Sequence, residues 1–189
     1  MEDYKWMNES EVRVIKNGLM ISAAPYSNSF IDPSNGAVNM NAPFYYQETD
    51  GDFVFKAKVS LNFVSTYDAC VLIAYDNDTL WAKACFEFSD FGKHTVVTVM
   101  THQYSDDGNG INVDGNSVWL QLSRKDDLFA VHYSLDGENY FMARLARLPM
   151  HKRIKVGMSA QSPIGQGGDR NFENISLEHK TLTNIRAGK

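Results

Sequence analysis

The sequence predicts an all-β protein in which two antiparallel sheets pack face to face. Apolar and polar residues alternate with a period of two over most of the 189-residue chain, which is the pattern of half-buried strands. Turn signals such as Asp50-Gly51 and Asp136-Gly137 separate the alternating segments, because these residues tolerate the positive φ of tight hairpins. No segment shows a sustained 3.6-residue period, so the crossover helices of a parallel sheet are excluded.

Eleven segments satisfy this alternation and are predicted as strands. In chain order they cover residues 12–15, 19–23, 53–59, 69–75, 80–88, 94–102, 118–124, 128–134, 140–145, 154–160 and 172–178. Asn17-Gly18 separates the first two, and Asn77-Asp78, Phe91-Gly92 and Lys125-Asp126 mark further turns. Two longer polar stretches, residues 104–116 and 162–170, are predicted as loops at the rim of the sandwich, where recognition usually concentrates.

The composition predicts one folded unit. The hydrophobic content of 43% and aromatic content of 12% can fill a continuous core, and sandwiches of about 200 residues often form one domain. Residues 1–189 are therefore predicted as a single β-sandwich domain. The tail, residues 180–189, lacks the alternation, and a short helical turn or disorder would suit it.

Charge and hydropathy exclude two classes of partner. The net charge is -5, and without a basic stripe to neutralise phosphates a nucleic-acid partner is not expected. No apolar run approaches the roughly 20 residues that span a bilayer, and the first twelve residues do not resemble a secretory signal. Cys70 and Cys85 stand alone in apolar segments and predict free thiols. We therefore expect no membrane partner and a cytoplasmic location.

The segment 80–88, LWAKACFEF, carries an unusual polar face. In a strand, its alanines and phenylalanines lie on one side. The other side presents Trp81, Lys83, Cys85 and Glu87. Similar faces carry Trp119 and Gln121 in segment 118–124 and Gln161 after segment 154–160.

If these strands are neighbours in one sheet, the polar faces form a concave surface suited to a saccharide. Aromatic rings stack on the apolar faces of pyranoses, and fixed polar side chains satisfy the hydroxyl groups. The alternative is an ordinary sheet face in water, since solvated sheets show the same alternation.

Several motifs resemble an uncharacterised domain family that includes a regulator of enolase. The resemblance rests on the Trp-x-Lys-x-x-x-Glu strand of Trp81, Lys83 and Glu87, the Ser-Leu-Asp-Gly turn at residues 134–137, and Ser162-Pro163. It extends from about residue 6 to 178 and implies a concanavalin-like lectin/glucanase jelly-roll sandwich. The family pattern Ser-Asp-Trp is matched by Ser105 and Asp106, whereas Asp107 stands in place of the Trp.

Three functions remain open at this point. The first is a non-catalytic binding module for a saccharide or similar polar ligand. Its predicted ligand-binding residues are Trp81, Lys83, Glu87, Ser105, Asp106, Trp119, Gln121 and Gln161. The second, implied by the resemblance, is an intracellular module that regulates a protein partner. The third is a glycoside hydrolase, which needs two carboxyl groups, whereas Glu87 is the sole obvious acid on the polar face.

No catalytic residue, resident metal or cofactor is predicted. The chain lacks a Cys-x-x-Cys motif or other clustered zinc ligands. Calcium is left open, because two groups of oxygen ligands occur in predicted turns. They are Asp76 with Asp78, and Asp106, Asp107 and Asn109 with Asp114. Neither group has EF-hand spacing.

Overall fold

The computed structural model describes residues 3–189, which form sixteen β-strands and no helix. The strands are β1 (Lys5–Met7), β2 (Val12–Ile15), β3 (Gly18–Ala23), β4 (Ser29–Ile31), β5 (Val38–Met40), β6 (Phe44–Asp50), β7 (Phe53–Leu61), β8 (Ala69–Asn77), β9 (Leu80–Phe88), β10 (His94–His102), β11 (Tyr104–Asn112), β12 (Ser117–Lys125), β13 (Leu128–Ser134), β14 (Phe141–Arg147), β15 (Arg153–Gln161) and β16 (Gly168–Glu178). Nothing in this range could therefore cross a membrane as a helix.

Two seven-stranded sheets contain fourteen of the strands. Sheet A has the order β1-β6-β15-β8-β9-β10-β11, and sheet B has the order β14-β13-β12-β7-β16-β3-β2. Each strand pair is antiparallel. The predicted all-β, two-sheet antiparallel jelly-roll sandwich is thus confirmed. The remaining strands, β4 and β5, form a separate hairpin.

The main core lies between the two sheets. Strand β9 contributes Ala82, Ala84 and Phe86 to it, and sheet B contributes large rings such as Phe55 and Phe129, all of them fully buried. Small residues on one sheet leave room for large ones on the other, as close packing requires. Each buried phenylalanine stabilises the fold by about 1.5–3 kcal/mol relative to an exposed one.

One predicted loop is a strand. Residues 104–116 were expected to form a rim loop, but β11 pairs with β10 along most of its length. Its Asp, Asn and Gly residues have low strand propensity, and the open edge of β10 overrides that preference by offering a row of hydrogen-bonding groups. Gln103, at a φ of 71°, makes the tight turn between the two strands.

The hairpin β4–β5 covers part of the outer face of sheet A, the face turned away from the main core. Phe30 and Met40 of the hairpin pack against an apolar cluster on that face, which includes Trp81 and Val99. The backbone N–H of Ile31 donates to Ser105 Oγ at 3.0 Å. Both faces of sheet A are therefore buried where the hairpin covers it.

The C-terminal tail covers part of the outer face of sheet B. Leu182 and Ile185 are buried against Val54 and Ala130, and the carbonyl of Arg186 lies 3.0 Å from His132 Nε2. Burying the apolar side chains of residues 182 and 185 offsets part of the entropy cost of ordering a short tail.

Both cysteines are free and buried. Cys70 belongs to the main core and Cys85 to the outer face of sheet A, so the sheet itself separates the two thiols. Burial raises the pKa of each thiol to about 12, because a thiolate is poorly solvated there.

Candidate functional site

A cavity of about 410 Å³ opens between the outer face of sheet A and the hairpin β4–β5. Small-molecule sites usually have volumes of about 300–1,000 Å³. Sheet A contributes Lys83, Glu87, Val97, Val99 and Asp107. The hairpin and its approach contribute Asn28, Phe30, Asp32, Ala37 and Asn39, and neighbouring loops add Tyr67, Pro163 and Ile164.

Strand register brings the polar residues of sheet A into one row. Lys83 on β9 is opposite Val99 on β10, which is opposite Asp107 on β11. Directly opposed residues lie on the same face of a sheet, so all three face the hairpin. Glu87 follows four residues after Lys83 on the same face.

Lys83 fastens the hairpin to the sheet. Its side chain is only 2% exposed, and Nζ donates to the carbonyl of Ser29 at 2.7 Å and to Gln161 Oε1 at 3.4 Å. A buried ammonium group needs such acceptors, because without these hydrogen bonds nothing would offset the cost of removing its charge from water. The lysine therefore positions the cavity wall.

Glu87 is mostly buried, and within residues 3–189 its carboxyl group has no hydrogen-bond or ion-pair partner. Its pKa is raised to about 7, chiefly by burial; the ammonium group of Lys83 opposes the rise, and the nearby carboxylates of Asp107 and Asp90 add to it. Loss of hydration disfavours the charged form, and like charges add to that effect. Glu87 can therefore donate or accept a proton near neutral pH.

Two tyrosines lie next to the cavity with strained backbones. Tyr67, which lines the cavity, has a φ of 70°, and Tyr26 has a φ of 55°. The N–H of Tyr26 donates to Gly165 in the loop that carries Ile164. A non-glycine residue in this left-handed region costs of order 1–3 kcal/mol, and such strain often accompanies functional sites.

The structure brings five of the eight predicted site residues to one face. They are Trp81, Lys83, Glu87, Ser105 and Gln161, all on the outer face of sheet A. Lys83 and Glu87 reach the cavity. Trp81 is fully buried and stacks on Tyr75 with the ring centroids 6.1 Å apart. The prediction that Trp81 stacks on a ligand assumed an open face, and that assumption is wrong because protein covers the ring.

Ser105 and Gln161 are buried within the protein's own hydrogen-bond network. Ser105 Oγ accepts from the hairpin and lies 2.9 Å from Thr101 Oγ1. Gln161 is 2% exposed, and its Oε1 accepts from Lys83. Both residues support the cavity from beneath.

The other three predicted residues lie elsewhere. Asp106 faces the opposite side of β11, where Oδ2 is 2.9 Å from Nη2 of Arg144 on β14. Trp119 and Gln121 are on β12 of sheet B, and Gln121 Nε2 donates to the carbonyl of Gly188 in the tail. The expectation of one shared surface was wrong because alternation assigns a residue to a face without identifying its sheet.

Sequence reasoning missed the hairpin residues and Asp107. The signal for the hairpin was Asn35-Gly36, a strong turn dipeptide, flanked by the short apolar runs that became β4 and β5. The signal for Asp107 was its position two residues after Ser105, because alternate residues of a strand share a face.

The first pair of candidate calcium ligands, Asp76 and Asp78, is engaged in other contacts. Asp76 lies 3.0 Å from Nδ1 of His151, and Asp78 accepts from the hydroxyl of Tyr75. Asp106 and Asp107 lie on opposite faces of β11. Across residues 3–189, no three His, Cys, Asp or Glu side chains are grouped as metal ligands.

The fold and the cavity define a β-sandwich with a partly covered outer face. The chain belongs to the family described as "Protein of unknown function (DUF1349)", whose model matches residues 6–180. That description does not mention enolase, so the regulatory link stays a prediction. The curated proteins give no match.

Solved structures share the fold. A functionally unknown protein from Saccharomyces cerevisiae is similar with a TM-score of 0.88 and 22% identity, over 96% of this chain and 98% of that one. The carbohydrate-binding module CBM66 from Bacillus subtilis gives a TM-score of 0.60 and 10% identity over 94% and 96% of the two chains.

An enzyme is also similar. Xylan beta-1,4-xylosidase from Bacillus halodurans gives a TM-score of 0.70 and 11% identity, over 86% of this chain and 33% of the xylosidase. This chain therefore corresponds to about a third of that enzyme. At these identities the likeness concerns the fold.

Proposed function

We propose that the protein is a non-catalytic saccharide-binding module whose site is the cavity beneath hairpin β4–β5. The observation that carries this proposal is the combination of aromatic and hydrogen-bonding side chains around 410 Å³ of open space. Phe30 and Tyr67 supply ring faces, while Asn28, Asn39 and Asp107 supply polar atoms. Sugars present apolar ring faces and hydroxyl groups, and such a lining matches both.

The structural neighbours support this proposal at the level of the fold. One is named as a carbohydrate-binding module and another as a xylosidase. The names of both proteins refer to saccharides, although a shared fold does not determine function. The cavity residues of this chain therefore carry the argument.

A saccharide titration tests the proposal. A panel of soluble mono- and oligosaccharides is titrated into the protein and followed by calorimetry and by amide chemical shifts. Tyr67→Ala and Asn39→Ala should weaken binding about tenfold or more, since each removes a stacking surface or hydrogen bonds worth about 1–2 kcal/mol.

Trp119→Ala is the matched control, because Trp119 lies on the other sheet and its loss should leave binding unchanged. Binding that weakens in the control but survives both cavity variants would contradict the proposed location.

Hydrolysis of a glycoside is a second candidate, favoured by the two carboxyl groups that sheet A contributes to the cavity. Glu87 has a pKa of about 7, as a general acid requires, and Asp107 lines the same space. Glycosidases use such a pair. Turnover of aryl glycosides that disappears in both Glu87→Gln and Asp107→Asn would favour the enzyme, whereas binding without turnover favours the module.

The cytoplasmic location is proposed together with this function. Cys70 and Cys85 are free thiols, as expected in a reducing compartment. Fractionation of cells that express the protein, followed by detection in the soluble fraction, tests this location.

A further inference from the structure

We propose that the ligand of the cavity is a saccharide that carries a protonated amine. This inference rests on the proposed function and narrows it to a class of ligand. Three carboxyl groups line the cavity, those of Asp32, Glu87 and Asp107, against a single ammonium group, that of Lys83. A cavity with this excess of acidic groups attracts a cationic group and repels an anionic one.

The ammonium group of Lys83 is engaged with the protein. Its hydrogen bonds go to the carbonyl of Ser29 and to Gln161, and the side chain is 2% exposed. It forms no ion pair with Glu87 or Asp107 within 4.0 Å. Lys83 therefore leaves the acidic groups of the cavity without a direct cationic partner.

The charge of Asp32 is fixed by its turn. Its carboxylate accepts from the N–H and the hydroxyl of Ser34 and from the amide of Asn35. These hydrogen bonds lower the pKa of Asp32, with the side-chain bond from Ser34 first among the causes. One edge of the cavity mouth therefore stays negative.

Glu87 supplies an independent observation that points to a ligand. Its carboxyl group is mostly buried, lines the cavity and lacks a hydrogen-bond partner among the described residues. Buried polar groups in native proteins are usually paired, so an unpaired one that faces open space calls for a partner from outside. An ammonium group that donates to Glu87 and Asp107 satisfies both.

The same pairing couples binding to protonation. The charged or titratable groups that face Glu87 are Lys83, Cys85, Asp90, Asp107 and Tyr67. The pKa values of Cys85 and Tyr67 are raised above their ordinary range, which leaves their charge unchanged near neutral pH. An ammonium partner favours the ionised form of Glu87. Binding at pH 7 therefore releases about half a proton, since a group with a pKa near 7 is half protonated there.

The test compares sugars that differ only at one carbon. The 6-amino-6-deoxy forms of glucose, galactose and mannose are titrated against the parent sugars and the matching uronic acids at pH 6 and pH 8. Calorimetry in two buffers of different ionisation enthalpy counts the protons released. We expect an amino sugar to bind about tenfold or more tightly than its parent, and more tightly at pH 8 than at pH 6.

Variants separate the inference from the proposed function. Glu87→Gln should abolish the proton release and the pH effect and reduce the preference for the amine, while the parent sugar still binds. Asp106→Asn is the matched control, since that carboxylate faces Arg144 on the other side of β11. A parent sugar that binds as tightly as its amino form, or a uronic acid that binds more tightly, would overturn the inference and leave the proposed function standing. If none of the sugars binds, both fall.

Discussion

Arg170 and Asp68 form a buried ion pair next to two loops that line the cavity. Nη2 of Arg170 lies 2.9 Å from Oδ1 of Asp68, and each side chain is 1% exposed. The same carboxylate accepts from the hydroxyl of Ser162 at 2.6 Å and from the N–H of Ser65 at 2.9 Å. Two loops that line the cavity are thereby fixed to β16.

Removing the charge of Asp68 should destabilise the protein strongly. Asp68→Asn leaves the guanidinium of Arg170 buried without its counter-ion, and breaking a buried pair in this way typically costs about 3–5 kcal/mol. Urea unfolding, followed by tryptophan fluorescence, measures the loss in the free energy of unfolding.

The matched control uses an exposed pair. Asp50 lies 2.7 Å from Nη2 of Arg153, and both side chains are about half exposed or more. Water screens such a pair, so Asp50→Asn should leave the urea midpoint near that of the parent protein. Equal losses in the two variants would show that burial does not set the strength of the Arg170–Asp68 pair.

Glu87 should make the protein less stable as the pH rises. Its pKa is about 7 in the folded state against an ordinary value of 4.5, so between these pH values the folded state holds more protons than the unfolded chain. The free energy of unfolding therefore falls between pH 4.5 and pH 7, by up to about 3 kcal/mol.

Glu87→Gln removes this titration and should gain stability relative to the parent protein as the pH rises from 4.5 to 8. Urea midpoints at several pH values measure the difference. Glu138→Gln, at an exposed position, should keep the parent slope. If the urea midpoints of Glu87→Gln and of the parent protein changed in parallel with pH, the raised pKa of Glu87 would be refuted.

Lys83 should hold the pKa of Glu87 down. The ammonium group is the one cause that lowers this pKa among those acting on Glu87, so Lys83→Met should raise the pKa above 7. Carbon-13 NMR of the labelled glutamate carboxyl groups follows the titration directly. Lys155→Met, on the same face but over Tyr46 and Tyr75, should leave the Glu87 titration unchanged. A lower pKa in Lys83→Met would contradict this electrostatic picture.

The tail should contribute to the stability of the whole sandwich. Leu182 is 3% exposed and packs with Val54 and Ala130, so Leu182→Ala should cost about 2–3 kcal/mol. Thermal unfolding and hydrogen exchange of β13 amides measure the effect. Arg186→Ala keeps the backbone carbonyl that His132 contacts and removes an exposed side chain, so it should cost little. If Leu182→Ala were as stable as the parent protein, the packing of the tail against sheet B would contribute little to stability.

Strands with two clearly different faces could be predicted from the sequence. Segment 80–88 coincides with β9 at both ends, and segment 128–134 coincides with β13. Their alternation separates the side chains that face the main core from those on the outer face, although most side chains of both strands are buried. Strands such as β11, composed of Asp, Asn and Gly, carry no such signal, because a neighbouring strand rather than their own side chains holds them in place.

The candidate site was only partly predictable for a related reason. Alternation placed Lys83 and Glu87 on the correct face, and Gln161 with them, because each follows directly from a strand. It could not show that Trp119 belongs to the other sheet, since pairing between distant strands depends on the whole fold. Nor could it show that a hairpin would cover Trp81, because β4 and β5 are three residues each.

Because both native cysteines are buried, the protein is convenient for fluorescent labelling at an introduced cysteine. A thiol with a pKa of about 12 is ionised in roughly one molecule in ten thousand at pH 8, and a maleimide dye would seldom reach it. Val64, exposed in the loop beside Tyr67, offers a position for an introduced cysteine. A dye attached through Val64→Cys would report the arrival of a sugar at the mouth of the cavity, with both native cysteines left in place.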